Sequence, residues 1–347
     1  MKFSYKWFLK NGYPKKNGFK VFSTFTCGGG STMGYRLAGF DVIGANDIDA
    51  NDIDERVAKV YKKNHNPELY YLCDIRELNK KIKKAKVDKR LFNLDILDGS
   101  PPCSTFSMAG NRENSWNKEK QFAEGQKKQR LDDLFFDFIE TVKLLKPKIV
   151  IAENVKGIIQ GNAKGYVIEI KREFEKIGYR VQIFLLNSAT MGVPQKRERI
   201  FFICSRNDLK LCKLILEFKE KSIPYKEIRE LPTEKITPLD YKLWGKRRKK
   251  DKSICDINLR LYNKNSRFNS YIIRENDVIP TIASSHGCCY IDEKAGKKIN
   301  KNTLIQCGTF PLDYDFLNVK PQYLIGMSVP PIMMSQIANQ IYLQWLK

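Results

Sequence analysis

The chain has 347 residues, 42% hydrophobic and 29% charged, with 62 Lys plus Arg against 39 Asp plus Glu, a net charge of +23. That composition excludes a disordered polycation, and no apolar run approaches the ~20 residues needed to span a bilayer. The basic opening stretch MKFSYKWFLKNGYPKKNGF lacks an apolar core and a small-residue cleavage site, so no secretory signal is expected. The positive excess points to a polyanionic partner, nucleic acid first, although AT-rich nucleotide bias gives the same Lys, Asn and Ile content without any partner. Nine cysteines with no CxxC pair, and only two histidines, suggest neither a zinc site nor a disulfide framework. They read as reduced thiols in a cytoplasmic chain, most of them core residues.

From residue 20 to about 205 strands and helices alternate. KVFSTFTC (20–27) is a β-branched and aromatic strand that runs into Gly28-Gly29-Gly30 and then a helix over STMGYRLAGF. DVIGAND (41–47) is a second strand and RVAKVYKKNH (56–65) a second helix; LYYLCDI (69–75) is a third strand, and FNLDILDGS (92–100) a fourth, bounded by Pro101-Pro102. LDDLFFDFIETVKLLKP (131–147) has a 3.6-residue apolar period that stops at a proline. KIVIAENV (148–155) is a buried strand, YVIEIKREFEKIGY an amphipathic helix, and RVQIFLLNS (180–188) and RIFFICS (199–205) are further strands. This order predicts βαβ units and an α/β fold with a mostly parallel, doubly wound sheet.

Beyond Ser205 the alternation is lost and prolines stand at 224, 232, 238 and 280. KLWGKRRKKDK (242–252) carries seven basic residues and one acidic. A domain boundary is expected near 205, and the helical period of 330–347 suggests a helix that packs back onto the first domain. ANDID occurs twice in tandem, at 45–49 and 50–54, and reads as a slipped duplication lengthening the loop after strand two.

In an open α/β sheet ligands bind at the carboxyl ends of the strands, near the point where strand order reverses. The glycines after strand one let backbone amides approach a ligand at a helix N-terminus, a signal for some nucleotide-like molecule. After strand two stands Asp47 or its duplicate Asp52, suited to the two hydroxyls of a ribose. Strand register favours Asp47, whereas counting back from the Tyr61 helix favours Asp52. After strand three, Asp74 is able to accept from an exocyclic amine. A solvated loop carboxylate is the alternative for each acid. Strand four leads through two prolines to the Cys103 thiol, with Glu153 expected beside it at the end of the next strand. Arg197 and Arg199, two residues apart on an extended segment, face one way and are able to hold an anionic or carbonyl-bearing substrate and favour a thiolate. A buried inert cysteine is the competing reading of Cys103 alone.

The ordered set FTCGGG, ANDID, CDI, PPCS, AENV, QKRER and GMSVPP resembles the cytosine-5 DNA methyltransferase family, over residues 20–205 and about 310–347. The resemblance implies a Rossmann-like methyltransferase domain (1–205 and 320–347), a smaller irregular target-recognition domain (206–319), S-adenosylmethionine as methyl donor, and double-stranded DNA whose target cytosine is flipped out. On that family's pattern Cys103 adds to ring carbon 6, Glu153 holds a proton toward ring nitrogen 3 and the exocyclic amine, Arg199 bonds the ring carbonyl, and Arg197 supports the loop or a phosphate. Phe25, Gly28, Gly29 and Gly30 line the donor's methionine and adenine side, Asp47 its ribose, Ile48 the adenine face and Asp74 the adenine amine, with Ile75, Pro102 and Ser328 completing the set. Residues 107–130 correspond to a lid over the flipped base. Ser104 stands where the family usually has Gln, beside the DNA, Cys27 where it has Gly, and Met327 where it has Asn. Its Arg-containing motif before the last helix is not recognisable in 297–316.

The segment 206–300 holds 22 Lys plus Arg against 13 Asp plus Glu. Within it Arg247, Arg248, Lys249 and Lys250 read as phosphate anchors, and Arg260, Asn263, Arg267, Asn269 and Ser285 as candidate base readers; a solvated basic loop is the alternative. The family context suggests a monomer in the cytoplasm of a bacterial or phage-infected cell, with a cognate restriction endonuclease as a possible companion and no metal. Three other readings compete: a tRNA cytosine-5 methyltransferase, a catalytically silent nucleic-acid-binding relative, and a nicotinamide-dependent oxidoreductase. The last leaves PPC, ENV and QKRER unexplained, and the long segment 206–300 favours DNA over tRNA.

Overall fold

The structure is a computed structural model, and it describes residues 3–47, 52–102, 134–160, 164–267, 269–285 and 287–347. In chain order β1 (Lys20–Thr24), α1 (Gly30–Leu37), β2 (Asp41–Asp47), α2 (Asp52–His65), β3 (Leu69–Leu72), α3 (Ile75–Lys83) and β4 (Ile96–Gly99) build the first half. Then come α4 (Leu134–Leu145), β5 (Ile149–Val155), α5 (Lys164–Lys176), β6 (Tyr179–Asn187), β7 (Gln195–Lys196) and β8 (Glu198–Arg206). Seven of these strands form one sheet in the order β3-β2-β1-β4-β5-β8-β6. β1 to β5 are parallel, and β8 runs antiparallel to both β5 and β6. Strand order therefore reverses between β1 and β4, which opens a crevice at their carboxyl ends.

The central strands are buried on both faces, as covered parallel strands must be. One face packs Phe22, Leu97, Val150 and Phe202 against Phe138 of α4 and Phe174 of α5. The other packs Val21, Ile96, Ile151 and Phe201 against Tyr35 of α1 and a C-terminal helix, α10 (Pro331–Ile341). β3 stops at Leu72, three residues before the hydrophobic pattern does, because Asp74 caps α3 by accepting from the Arg76 amide at 2.7 Å. The α3 helix went unread in the sequence; its apolar residues Ile75, Leu78 and Ile82 recur at helical spacing within a lysine-rich stretch.

After β8, residues 207–216 run along the edge strand β6. Arg180 of β6 donates to the carbonyls of Leu211 and Cys212, and Gln182 exchanges two hydrogen bonds with the backbone of Leu214. These side-chain bonds hold the segment against one face of β6, since residues 180 and 182 project to the same side of the strand. The irregular composition beyond 206 resolves into α6 (Pro238–Trp244), α7 (Ile254–Tyr262), β9 (Ser270–Ile273), β10 (Ile279–Pro280), β11 (Cys289–Asp292), β12 (Lys297–Lys298), α8 (Lys301–Cys307), α9 (Pro321–Met327) and α10 (Pro331–Ile341). β9, β11 and β12 make a small mixed sheet, and β10 pairs with β7. Ile282, Tyr290, Ile305 and Phe310 share an apolar cluster with Met33 of α1 and Val57 and Val60 of α2, so this part packs directly on the first helices. Among the described residues no helix is long and apolar enough to cross a membrane.

The C-terminal helix closes one face of the main sheet, as its apolar period suggests. Ile337→Ala deletes a fully buried side chain there and is expected to cost ~2–5 kcal/mol, read as a lower urea midpoint at unchanged slope.

Candidate active site

The turn after β1 is built on unusual backbone. Phe25 (φ 55°), Cys27 (φ 45°) and Gly29 (φ 73°) are all left-handed, a conformation that is costly for residues with a side chain. Close packing holds the turn in place. A Cβ at Gly29 would lie 2.2 Å from His65 Nε2, and one at Gly30 would lie 2.1 Å from the Val329 carbonyl oxygen. The Gly28 carbonyl accepts from the Tyr314 hydroxyl at 2.7 Å and faces His65 Nε2 at 3.3 Å. Burial, then the charge of Arg36, pushes the His65 imidazole down to a pKa of about 3, so it is neutral and its Nε2 carries the proton toward Gly28.

The acids at the ends of β2 and β3 have distinct settings. Asp47 Oδ2 accepts from the Cys27 amide at 2.9 Å and lies 3.4 Å from Thr26 Oγ1, which ties β2 to the glycine turn. Asp74 spends one oxygen capping α3, with Arg76 Nη1 3.6 Å from the other. Ile75 is wholly buried in the apolar core below. Ile48, Cys103, Ser104 and the stretch 107–130 lie outside the described residues, as does the side chain of Asp52. Pro102 is half-buried at the point where β4 leads toward Cys103, and the preceding Pro101 carbonyl accepts from Asn154 Nδ2 at 3.3 Å.

At the carboxyl end of β5, Glu153 Oε1 pairs with Arg199 Nε at 2.9 Å, with the two side chains only 11% and 13% exposed. The antiparallel register explains the contact: Glu153 lies opposite Phe201 and Val155 opposite Arg199, so the pair meets diagonally. Burial holds the Arg199 guanidinium below the ordinary arginine range, with Glu153 opposing. Arg197 is fully buried and donates to the carbonyls of Ile282 at 3.1 Å and Gly326 at 2.8 Å. Burial, then its neighbour Arg199, lowers its pKa too. Of its two expected roles, supporting a loop or holding a phosphate, these contacts are those of a loop support. Gln195 adds to the clamp, donating to the Cys307 carbonyl and accepting from the Ile282 amide.

Between the glycine turn and the segment Met327–Val329 lies a recess lined by Ser23, Phe25, Cys27, Ser31, Asp98 and Ser328, among others. Ser328 Oγ is buried there with no hydrogen-bond partner among the described residues. Asp98 is the group sequence reasoning passed over. It is 1% exposed, Oδ2 accepts from Ser23 Oγ at 2.7 Å, and Oδ1 accepts from Tyr35 OH at 3.1 Å. Burial pushes its carboxyl up to about 7; hydroxyls of Ser23, Tyr35 and Ser31 oppose this, and Glu153 adds to it. A charged residue inside the apolar run LDILDG was the available signal, as was His65 at the end of its helix.

The family model for C-5 cytosine-specific DNA methylase matches residues 19–343. The chain belongs to that family. It is 35% identical over 192 residues to the type II methyltransferase M.FnuDI of Fusobacterium nucleatum, 55% of this chain and 48% of that protein. It is 36% identical over 176 residues to the orphan methyltransferase M.SPRI of Bacillus phage SPR, 50% of this chain and 37% of that one. The chain thus spans about half or less of the length of these relatives. Among solved structures, a prophage-encoded E. coli chain described as a DNA modification methyltransferase superposes with a TM-score of 0.69 at 22% identity, covering 95% of this chain and all of that one. DNMT2 of Spodoptera frugiperda gives 0.61 at 16%, covering 94% of this chain and 100% of that one. At those identities the likeness is one of fold, and the fold is the Rossmann-like methyltransferase α/β fold.

The basic stretch of this family member is only partly free. Arg247 stacks over Trp244 with its guanidinium carbon 4.0 Å from the ring centroid and also donates to the Trp244 carbonyl. Arg248, Lys249 and Lys250 are exposed. Two of the candidate base readers hold the segment together: Arg260 pairs with buried Asp251 at 2.8 Å and Arg267 with buried Asp240 at 2.5 Å. Asn263 caps α7 in the left-handed conformation.

Glu153→Gln leaves Arg199 buried without its counter-charge and is expected to cost about 3 kcal/mol in chemical unfolding, part of it recovered by adding Arg199→Met. His65 and Asp98 make opposite contributions to the pH profile. His65 titrates near 3 folded and 6.5 unfolded, so the unfolded chain binds more protons between those values and stability drops as pH falls through them. Asp98 titrates near 7 folded and 3.8 unfolded, so its contribution drops as pH rises over that window. Relative to the wild type, His65→Gln should lose ~1 kcal/mol of stability per unit of rising pH between 4.5 and 6, and Asp98→Asn should gain by a similar amount, measured by urea unfolding at each pH.

Proposed function

We propose that this protein transfers a methyl group from S-adenosylmethionine to carbon 5 of a cytosine in double-stranded DNA. The observation that carries the reading is the buried Glu153–Arg199 pair at the carboxyl edge of the sheet. Glu153 stands on the strand next to β4, whose continuation leads to Cys103, and its charge acts on Asp98 in the recess under the glycine turn.

The recess suits the donor on its own chemistry. Gly30 at the start of α1 lines it, the N-terminus of α1 favours a carboxylate, and Ser328 Oγ has no partner among the described residues. Phe25 and Gly28–Gly30 take the methionine and adenine side, and Asp47, Ile48, Asp74, Ile75 and Pro102 the nucleoside. The donor supplies a methyl group on a positively charged sulfur.

The chain's residues do the remaining work. The Cys103 thiolate forms a bond to ring carbon 6, and the electron pair moves to carbon 5, which is otherwise a poor nucleophile. Glu153 holds a proton at ring nitrogen 3 and accepts from the exocyclic amine while Arg199, paired with it, bonds the ring carbonyl. Carbon 5 takes the methyl group; loss of its proton to a base then breaks the carbon 6–sulfur bond and returns the thiolate. Arg197 positions the loops at Ile282 and Gly326 around this centre. Residues 1–205 and 320–347 serve methyl transfer and residues 206–319 read DNA, with Ser104, Arg247, Arg248, Lys249 and Lys250 against the duplex. A cognate endonuclease in a restriction system, a monomeric state and a bacterial or phage-infected host cell complete the proposal.

Incubation with methyl-labelled S-adenosylmethionine and either duplex DNA or tRNA tests it. Label is expected in DNA as 5-methylcytosine at one short sequence, and Cys103→Ser should reduce turnover roughly a thousandfold or more. Label confined to tRNA would replace the DNA reading, and label in neither would leave a binding protein. DNA affinity should fall steeply with salt as counterions are released.

A further inference from the structure

Asp98 is a buried acid without a buried base. It sits at the carboxyl end of β4, directly opposite Ser23 of β1, and the hydroxyls of Ser23, Tyr35 and Ser31 are its hydrogen-bond partners among the described residues. No Lys, Arg or His among the described residues forms an ion pair with it. An ionised carboxylate so placed carries a desolvation penalty of several kcal/mol unless a cation reaches it. Among the described residues, Asp98 lines the recess beneath the glycine turn together with Ser31 and the Ser328 hydroxyl, which has no partner there.

The recess has both polarities along its wall. The backbone amides at the start of α1 favour an anion, and Asp98 favours a cation. A ligand end that is itself a zwitterion, with a carboxylate and an ammonium on one carbon, matches both. Asp47 is the other acid near the turn, but it does not line the recess, and Oδ2 is already turned to the Cys27 amide. Among the described residues Asp98 is therefore the acid left for the cationic end.

We infer that Asp98 is the residue that recognises the α-ammonium group of the methyl donor's amino-acid end, with Ser23 and Tyr35 orienting its carboxylate. This rests on the reading that the recess binds S-adenosylmethionine. The groups facing Asp98 are the hydroxyls of Ser23 on β1 and of Ser31 and Tyr35 on α1, and the charge of Glu153 on β5. Because burial pushes the Asp98 carboxyl up to about 7 and an ammonium favours the ionised form, ligand binding releases a proton, roughly half a proton per site at pH 7 and more at pH 6.

Two ligands separate recognition from mere support: S-adenosylhomocysteine, and its analogue with the α-amino group replaced by hydrogen. Titration calorimetry of the wild type at pH 6–7, in buffers of different ionisation enthalpy, should show proton release with the first ligand and none with the second. Asp98→Asn should raise the dissociation constant of S-adenosylhomocysteine about 10–100-fold while moving that of the deaminated analogue less than threefold. Equal losses for both ligands, or proton release that does not depend on the amino group, would overturn the assignment while leaving the donor reading standing. Failure of the wild type to bind S-adenosylhomocysteine at all would overturn the donor reading and this assignment with it. The wild-type comparison of the two ligands decides the matter even if Asp98→Asn does not fold.

Discussion

The carboxyl edge of the sheet depends on how closely three glycines allow the chain to approach itself. Gly29 lies against His65, Gly30 against the Val329 carbonyl, and the Gly28 carbonyl takes the Tyr314 hydroxyl. These contacts join residues from the first helix, the second helix and the C-terminal segment, elements separated by up to three hundred positions in sequence. A side chain at Gly29 or Gly30 would push His65 or the Val329 backbone away. The left-handed conformations of Phe25 and Cys27 are sustained because the surrounding packing leaves no alternative. The recess is thus a by-product of a tight junction, and its rigidity comes from both walls being anchored to the core.

Buried charge is the second organising theme. Two arginines and two acids lie buried at the ends of β4, β5 and β8, and desolvation works against the charge of Asp98, Arg197 and Arg199. Glu153 and Arg199 compensate each other, Arg197 is satisfied in part by carbonyl oxygens, and Asp98 has hydroxyls alone among the described residues. The pair gains from a low-dielectric setting in which hydrogen bonds are strong, and each member is costly to leave unpaired. A site of this kind is arranged in advance for charge that develops in a reaction, so little reorganisation is needed when it does. The same electrostatics make the arginines poor general phosphate anchors: their donors are already directed at fixed acceptors.

The segment after β8 divides its basic residues between structure and surface. Arg260 and Arg267 join helices to buried aspartates, Arg229 pairs with buried Asp292, and Arg274 with Glu293. Arg248, Lys249 and Lys250 remain exposed. Arginine serves the internal pairs because its planar fork meets a carboxylate at fixed geometry, whereas lysine carries a mobile, hydrated charge suited to a polyanion's surface. Net charge alone did not separate these two uses.

The alternation of strand and helix through residue 205 was legible because parallel strands need continuous apolar runs and helices a 3.6-residue period, both local properties of the chain. The same holds for the glycine turn, Cys103, Glu153 and the paired arginines, whose types and order carry the family resemblance. α3 was missed because its three apolar residues are matched by as many lysines, and the elements beyond 206 because short strands and helices leave weak periods. What sequence alone left undecided was pairing. That Arg199 meets Glu153 follows from an antiparallel register, that Arg197 clamps Ile282 and Gly326 from the return of the C-terminal segment, and that Asp98 faces a recess from its position opposite Ser23. Residue types and local order are written along the chain; which charges face one another is decided only when distant strands come into register and the sheet closes on its helices.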